Sequence, residues 1–131
     1  MKISVLVVDD DPNVRQILRE YVEREGHRVL EAADSSFARK AMAQERVDLI
    51  FLDVLMPGES GTALCHSIKD DPECQGMKVI LLTGFDGERA WSQGLRSGAD
   101  IFLVKPVNRE RIFSPSGRLI VVRPRYSSLV K

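Results

Sequence analysis

The sequence has little cysteine, no excess of charge of either sign and no long apolar run. Its two cysteines, Cys65 and Cys74, cannot build a disulfide framework and favour a reducing compartment. Lys and Arg number 19, as do Asp and Glu, so no global field recruits nucleic acid or an anionic membrane. No apolar run approaches the roughly 20 residues of a membrane helix, and no signal peptide precedes the first apolar run. We therefore expect a cytoplasmic protein.

The chain does contain short apolar runs, and a polar residue follows each of them. The run 49–52 is Leu-Ile-Phe-Leu and is followed by Asp53. Runs this short and apolar are typical of strands buried on both faces, as in a parallel sheet covered by helices. The carboxyl ends of parallel strands lie at one edge, where open α/β sheets bind ligands. The side chains expected to converge there are Asp9, Asp10, Asp53, Thr83 and Lys105.

Segments with helical periodicity separate these runs. Asp11 and Pro12 have the residue types of a helix N-cap and first position, which leaves Asp9 and Asp10 free to face the site. Ser35 or Ser36 is predicted to cap a second helix. The residues predicted to face inward from the second helix and from the third, at 62–69, are Phe37, Ala38, Ala41 and Met42, then Ala63, Leu64 and Ile68. A fourth helix is predicted at 88–97.

The alternation of strands and helices predicts an α/β fold. A doubly wound, flavodoxin-like sheet of five parallel strands, in the order 2-1-3-4-5 with helices on both faces, satisfies the right-handed crossover rule. A crevice then opens between strands 1 and 3. Asp9, Asp10 and Asp53 are expected at that crevice.

Three carboxylates at one point repel one another, so they either bind protons or recruit a cation. Oxygen ligands with room for water suit Mg²⁺ better than Ca²⁺. The Lys105 ammonium can pair with a carboxylate or with an anion bonded to it. A carboxylate can attack phosphorus and form an acyl phosphate, and the Thr83 hydroxyl can donate a hydrogen bond to the phosphoryl group. These groups indicate phosphoryl transfer onto an aspartate.

Five motifs, in this order, resemble the receiver domain of two-component response regulators over residues 3–107. They are Val8-Asp9-Asp10, Leu52-Asp53 with Met56-Pro57-Gly58 and Gly61, Leu82-Thr83-Gly84, Gly98-Ala99-Asp100, and Lys105-Pro106. The resemblance implies a signalling switch rather than an enzyme. Asp53 would accept a phosphoryl group from a histidine kinase or a phosphotransfer protein, and the surface would change for an output partner.

The resemblance also assigns roles to single residues. Mg²⁺ would be held by Asp9, Asp10 and Asp53, with the backbone carbonyl of Leu55 as a further ligand. Thr83 and Phe102 occupy the positions that rearrange on phosphorylation. Lys105 would pair with the phosphoryl group, and the Lys105-Pro106 peptide is expected to be cis.

Two other functions stay open. A metal-dependent phosphatase also uses an aspartyl phosphate on a doubly wound sheet, but it generally needs a second acid where this chain has Leu55. A scaffold that is never phosphorylated is the other alternative, and it is disfavoured because every catalytic position is filled.

The carboxyl end departs from the family. We predict a receiver domain at 1–113 and an atypical tail at 114–131. Asn108 can cap a fifth helix, but the proline and glycine of 114–117 stop it after little more than one turn. Residues 118–122 are expected to form an extended segment that pairs either with the strand 5 edge of the same chain or with a second copy. We favour the second, which gives a homodimer. The alternative is a disordered tail.

Overall fold

The computed structural model describes residues 2–84, 92 and 96–113. Its strands are β1 (Ser4–Val8), β2 (Arg28–Ala32), β3 (Leu49–Asp53), β4 (Lys78–Thr83) and β5 (Ile101–Val104). Its helices are α1 (Pro12–Arg24), α2 (Ser35–Gln44), α3 (Gly61–Asp70) and α4 (Arg109–Ile112), with a 3-10 turn at Pro72–Cys74. The strands are parallel and lie in the order β2-β1-β3-β4-β5, which confirms the predicted fold class.

Alternation along the strands divides the core between the two faces of the sheet. In β1, Leu6 and Val8 pack on the face covered by α2 and α3, through residues such as Ala38 and Leu64. Val5 and its neighbour Val7 pack on the opposite face, which α1 and α4 cover. Burial on both sides explains why β1, β3 and β4 are continuous apolar runs.

Each α-helix named above is preceded by a residue whose side chain accepts a hydrogen bond from a backbone N–H near the helix start. These caps are Asp11, Asp34, Ser60 and Asn108. Asp11 and Asn108 were predicted, whereas the prediction of Ser35 or Ser36 for the second helix is wrong. The Ser35 hydroxyl instead donates to the Glu59 carbonyl at 3.0 Å, and Asp34 Oδ1 accepts from Phe37 N at 2.9 Å.

Two predictions of inward-facing residues are also wrong. Phe37 is 56% exposed, with the Lys40 ammonium 5.2 Å from its ring centre. Ala63 is exposed as well. In both helices the neighbouring residue takes the buried position, Ala38 in α2 and Leu64 in α3. Successive helical residues point about 100° apart, so the two predicted faces, which correctly included Ala38 and Leu64, were one residue too wide.

The fifth predicted helix is α4, and it is a single turn that ends at Ile112, as its sequence indicated. Most of the helix predicted at 88–97 lies outside the described residues, and so does the tail at 114–131. The domain boundary between 113 and 114 therefore stays a prediction. Within the described ranges, no helix has both the length and the apolar character needed to cross a membrane.

Candidate functional site

The end of β1 places Asp9 inside the molecule and Asp10 at its surface. Asp9 is 0% exposed, its amide donates to the Ala32 carbonyl at 3.2 Å, and its Oδ1 accepts from Asp11 N at 2.9 Å. Asp10 is exposed. The Asp11 side chain caps α1 through a 2.9 Å bond from Asn13 N. The predicted separation of Asp11 from the other two acids is therefore correct.

Asp53 is the last residue of β3 and is 4% exposed. Its Oδ1 accepts a 3.4 Å hydrogen bond from the amide of Leu55. The start of α3 lies directly against this strand end, where Gly61 N donates to Val54 O at 3.0 Å. A Cβ at Gly61 would lie 1.9 Å from the Asp53 carbonyl oxygen, so only glycine permits this approach. The start of α3 therefore packs against the backbone of Asp53, and the Leu55 amide of the loop contacts its carboxylate.

The three predicted acids do converge. One carboxylate oxygen from each of Asp9, Asp10 and Asp53 lies within 4.8 Å of the other two. Burial, and then the charge of Asp9, raises the pKa of Asp53 to about 6, although Lys105 and the Leu55 amide act in the opposite direction. The cluster therefore carries more negative charge than its surroundings neutralise.

Lys105 lies at the end of β5 and faces two of these acids. Its Nζ is 2.8 Å from Asp9 Oδ2 and 3.4 Å from Asp53 Oδ1. Burial alone would lower the pKa of Lys105, but the two carboxylates raise it above its ordinary value, so the side chain is a cation. The peptide bond between Lys105 and Pro106 is cis, as the family resemblance implied.

The surroundings of one carboxylate oxygen, Asp9 Oδ2, bear on whether the site suits a cation. Asp9 Oδ2 is buried, and its partner in the described part of the chain is the Lys105 ammonium, 2.8 Å away. Buried carboxylates are costly unless cations neutralise them, and Lys105 is one ammonium shared by Asp9 and Asp53. With two further carboxylates beside that of Asp9, this donor set fits a hard divalent ion that prefers oxygen ligands.

Thr83 and Phe102 lie on the neighbouring strands β4 and β5, where Phe102 pairs with Leu81. Thr83 ends β4, is 1% exposed and pairs with Val104 of β5. Its carbonyl accepts a 2.7 Å bond from the Lys105 amide, so the ends of β4 and β5 are joined. Phe102 is 5% exposed and packs in the core cluster on the α2 and α3 face.

An apolar groove of about 90 Å³ adjoins Lys105. Side chains of α1, including Ile17, form one wall, and Pro106 and Val107 form the other. Two larger hollows, of about 490 and 520 Å³, contain none of the predicted site residues. The volume of a hollow therefore does not identify the predicted site, whereas the cluster of charged side chains does.

Sequence reasoning missed the part played by Arg15. Its Nη1 donates to the Asp9 carbonyl at 2.7 Å. The available signal was its place one turn after the acid pair, on a helix whose cap lies beside that pair. Asp100, quoted above as part of a motif, instead joins Lys69 Nζ and Val79 N at 2.7 and 2.8 Å, near the start of β4. Its contacts are structural.

A doubly wound sheet that collects acids and a lysine at its carboxyl edge defines a class of small domains suited to a cation and a phosphoryl group. The family model for the response regulator receiver domain matches residues 5–115. The chain therefore belongs to the family of response regulator receiver domains, as the motifs indicated.

Known relatives and solved structures agree with this assignment. The chain is 40% identical over 115 residues to the response regulator PleD of Caulobacter vibrioides, covering 87% of this chain and 25% of that protein. It resembles a putative response regulator from Chloroflexus aurantiacus J-10-fl with a TM-score of 0.80 and 28% identity, covering 85% of this chain and 91% of that one.

A third similar structure is a response regulator from Burkholderia pseudomallei with a phosphorylated aspartic acid, a calcium ion and citrate. Its TM-score is 0.76 and its identity 29%, and the match covers 84% of this chain and 64% of that one. The chain spans a quarter to a half of the length of the first curated relatives that it matches.

Proposed function

We propose that this chain is a phosphorylation-dependent signalling switch in which Asp53 accepts a phosphoryl group with the help of Mg²⁺. The observation that carries the proposal is the position of Lys105 Nζ, which lies 3.4 Å from Asp53 Oδ1 within a buried acid cluster. The phosphorylated aspartic acid of the Burkholderia pseudomallei relative supports the same chemistry on the same fold.

The expected donor is a phosphohistidine on a histidine kinase or a phosphotransfer protein. A carboxylate oxygen of Asp53 forms a bond to phosphorus, and the bond from phosphorus to the imidazole nitrogen breaks. The nitrogen leaves with the electron pair and takes a proton. Lys105 then pairs with a phosphoryl oxygen, and the Thr83 hydroxyl donates a hydrogen bond to another.

The residues present fit Mg²⁺. The carboxylates of Asp9, Asp10 and Asp53 would hold the ion, and the backbone carbonyl of Leu55 is the further ligand that the family implies. When bound, Mg²⁺ neutralises negative charge on the transferring phosphoryl oxygens. The presence of three carboxylates around a single ammonium, Lys105, supports this assignment. Asp9 is held by its own backbone contacts, so its part is to present a carboxylate oxygen in a fixed place.

Thr83 and Phe102 are the proposed output of the switch. Thr83 lies at the end of β4, and the bond from Lys105 N to its carbonyl connects it to β5, where Phe102 lies. A phosphoryl group that draws the Thr83 hydroxyl toward Asp53 would leave space beside Phe102. The surface that a partner reads would then change.

The phosphodonor is expected to dock beside Lys105, where the apolar groove between α1 and the β5 end offers contact area next to the reacting carboxylate. We also propose a cytoplasmic location, because Cys65 and Cys74 are both free thiols. Phosphatase action on an outside substrate is disfavoured, since Leu55 is an exposed apolar residue where a second acid would be needed.

The decisive experiment measures labelling by radioactive acetyl phosphate in the presence of Mg²⁺. Asp53→Asn should abolish labelling, and Asp10→Asn should weaken Mg²⁺ binding. Asp11→Asn is the matched control, because asparagine caps a helix as well as aspartate does and Asp11 lies outside the acid cluster. The control should label like the parent. Undiminished labelling of Asp53→Asn would disprove the assignment of the phosphoacceptor.

A further inference from the structure

Arg15 is the basic residue of α1 that reaches the acid cluster. Its Nη1 donates a 2.7 Å hydrogen bond to the backbone carbonyl oxygen of Asp9, and its side chain is 19% exposed. That carbonyl belongs to the peptide bond that joins Asp9 to Asp10. The orientation of this peptide therefore depends on where the Arg15 guanidinium lies.

Glu31 of β2 holds the guanidinium in place. Glu31 Oε1 accepts from Arg15 Nε at 3.1 Å, and Oε2 accepts from Arg19 Nε at 2.6 Å. Hydrogen bonds from Arg19 and then Arg15 lower the pKa of Glu31, although burial opposes them. A planar guanidinium bonded at both Nε and Nη1 has little freedom to turn. Arg15 therefore offers the Asp9 carbonyl a donor in a fixed position.

Asp10 needs this support more than Asp9 does. The Asp9 carboxylate is buried and contacts both Asp11 N and Lys105 Nζ. The Asp10 side chain is exposed, and nothing in the described part of the chain bonds to it. Its direction is set by its own backbone, which begins at the peptide that Arg15 holds.

We propose that Arg15 is a positioning residue of the cation site, which fixes the Asp9–Asp10 peptide and so aims the Asp10 carboxylate at the ion. This inference rests on the proposed function, since it needs the acid cluster to bind a divalent cation. Groups that orient metal ligands commonly change metal affinity by about 10-fold to 100-fold when removed.

The sign of the effect separates positioning from simple electrostatics. Arg15 is a cation beside an acidic site, so its charge alone repels a divalent ion. Removing that charge should then tighten binding. If Arg15 orients Asp10, removing it should weaken binding instead. A purely structural role predicts lower stability with no specific change in affinity.

The test uses the full chain and Mn²⁺ as the probe, followed by the electron paramagnetic resonance signal of the free ion. Arg15→Met removes the donor and keeps the apolar stem, and it should weaken Mn²⁺ binding about 10-fold. Arg19→Met is the matched control, because Arg19 shares Glu31 but does not contact Asp9. Its affinity should stay within about 2-fold of the parent. Thermal unfolding in EDTA shows that each variant is folded.

Arg15→Lys is the second variant, because it keeps the positive charge but loses the planar guanidinium that bonds at both Nε and Nη1. It should bind Mn²⁺ more weakly than the parent. Parental or tighter binding by both Arg15 variants, or equal weakening in the Arg19 control, would overturn the inference. Loss of binding in Asp10→Asn would at the same time leave the proposed cation site standing. A parent chain that binds no Mn²⁺ would overturn both.

Discussion

Replacing Asp53 by asparagine should stabilise the metal-free protein at neutral pH. The Asp53 carboxylate is 4% exposed and lies beside the Asp9 carboxylate. Burial, followed by that neighbouring charge, raises the pKa of Asp53 from 3.8 to about 6. The ionised Asp53 carboxylate is therefore less favourable in the native state than in water. Asparagine has nearly the same shape and carries no charge, so it removes this cost.

The magnitude follows from the two pKa values. Below the unfolded value the carboxyl is protonated in both states and has no effect on stability. As the pH rises through the native value near 6, the native chain must ionise in its buried site, and stability is lost. One pKa unit corresponds to about 1.4 kcal/mol, so the full difference is about 3 kcal/mol above neutral pH.

Urea denaturation in EDTA, followed by circular dichroism, measures this effect. The advantage of Asp53→Asn over the parent should grow from less than about 1 kcal/mol near pH 4 to about 3 kcal/mol near pH 8. Glu20→Gln makes the same chemical exchange at an exposed position and should have a small effect at every pH. Added Mg²⁺ should reduce the difference, because it stabilises the parent by mass action.

The reasoning would be refuted if Asp53→Asn were less stable than the parent near pH 8, or if its advantage did not depend on pH. Either result would mean that Lys105 and the Leu55 amide already compensate the buried charge. The acid cluster would then have no electrostatic need for a cation.

Three further predictions concern the geometry, the lifetime of the phosphoryl group and the assembly. Gly61→Ala should lower the free energy of unfolding in urea by about 1 to 3 kcal/mol, because the added Cβ would overlap the Asp53 carbonyl. Gly84→Ala is the control and should lower it less, because a Cβ at Gly84 meets open space. The parent should lose its phosphoryl group slowly, since Leu55 cannot orient water, and Leu55→Asn combined with Phe85→Glu should speed that loss; an unchanged rate would contradict this. Light scattering should show a dimer for the full chain and a monomer for a chain ending at Phe113, and a monomer in both cases would exclude the dimer.

The strands and their polar ends were predictable because a buried parallel strand leaves a simple trace, a run of apolar residues that must stop where the sheet stops. Val5 to Val8 and Leu49 to Leu52 are buried on both faces, so no polar residue can interrupt them. The first polar residue after each run marks the sheet edge. The convergence of the acids followed from topology alone.

The exact limits of a helix's buried face were less predictable, because two adjacent apolar residues can both be assigned to that face. Phe37 and Ala38 compete in this way in α2, and the small Ala38 takes the buried position against the sheet. The size of Phe37 argued for burial, yet Lys40 shields its ring at the surface instead. Only the distance between the helix and the sheet decides such cases, and a sequence does not state that distance.

Arg15 was missed, although it lies one turn after the acid pair, because charged residues of an amphipathic helix are normally assigned to solvent. Its bond to a backbone carbonyl leaves no pattern in the sequence, since the acceptor exists at every residue. Motifs therefore identify groups that react, whereas groups that hold the backbone in place appear only with coordinates.

The fold determines the charge balance of the acid cluster. Parallel strands bring Asp9 and Asp53 together in a buried place where both carboxylates are poorly solvated. Lys105 is a single cation for two buried acids, so negative charge remains. On the proposed function, a divalent ion would relieve that excess, and a phosphoryl group on Asp53 would offer Lys105 a new partner. Because the Lys105 amide is bonded to the Thr83 carbonyl, a movement of Lys105 toward a phosphoryl group on Asp53 would also act on the ends of β4 and β5.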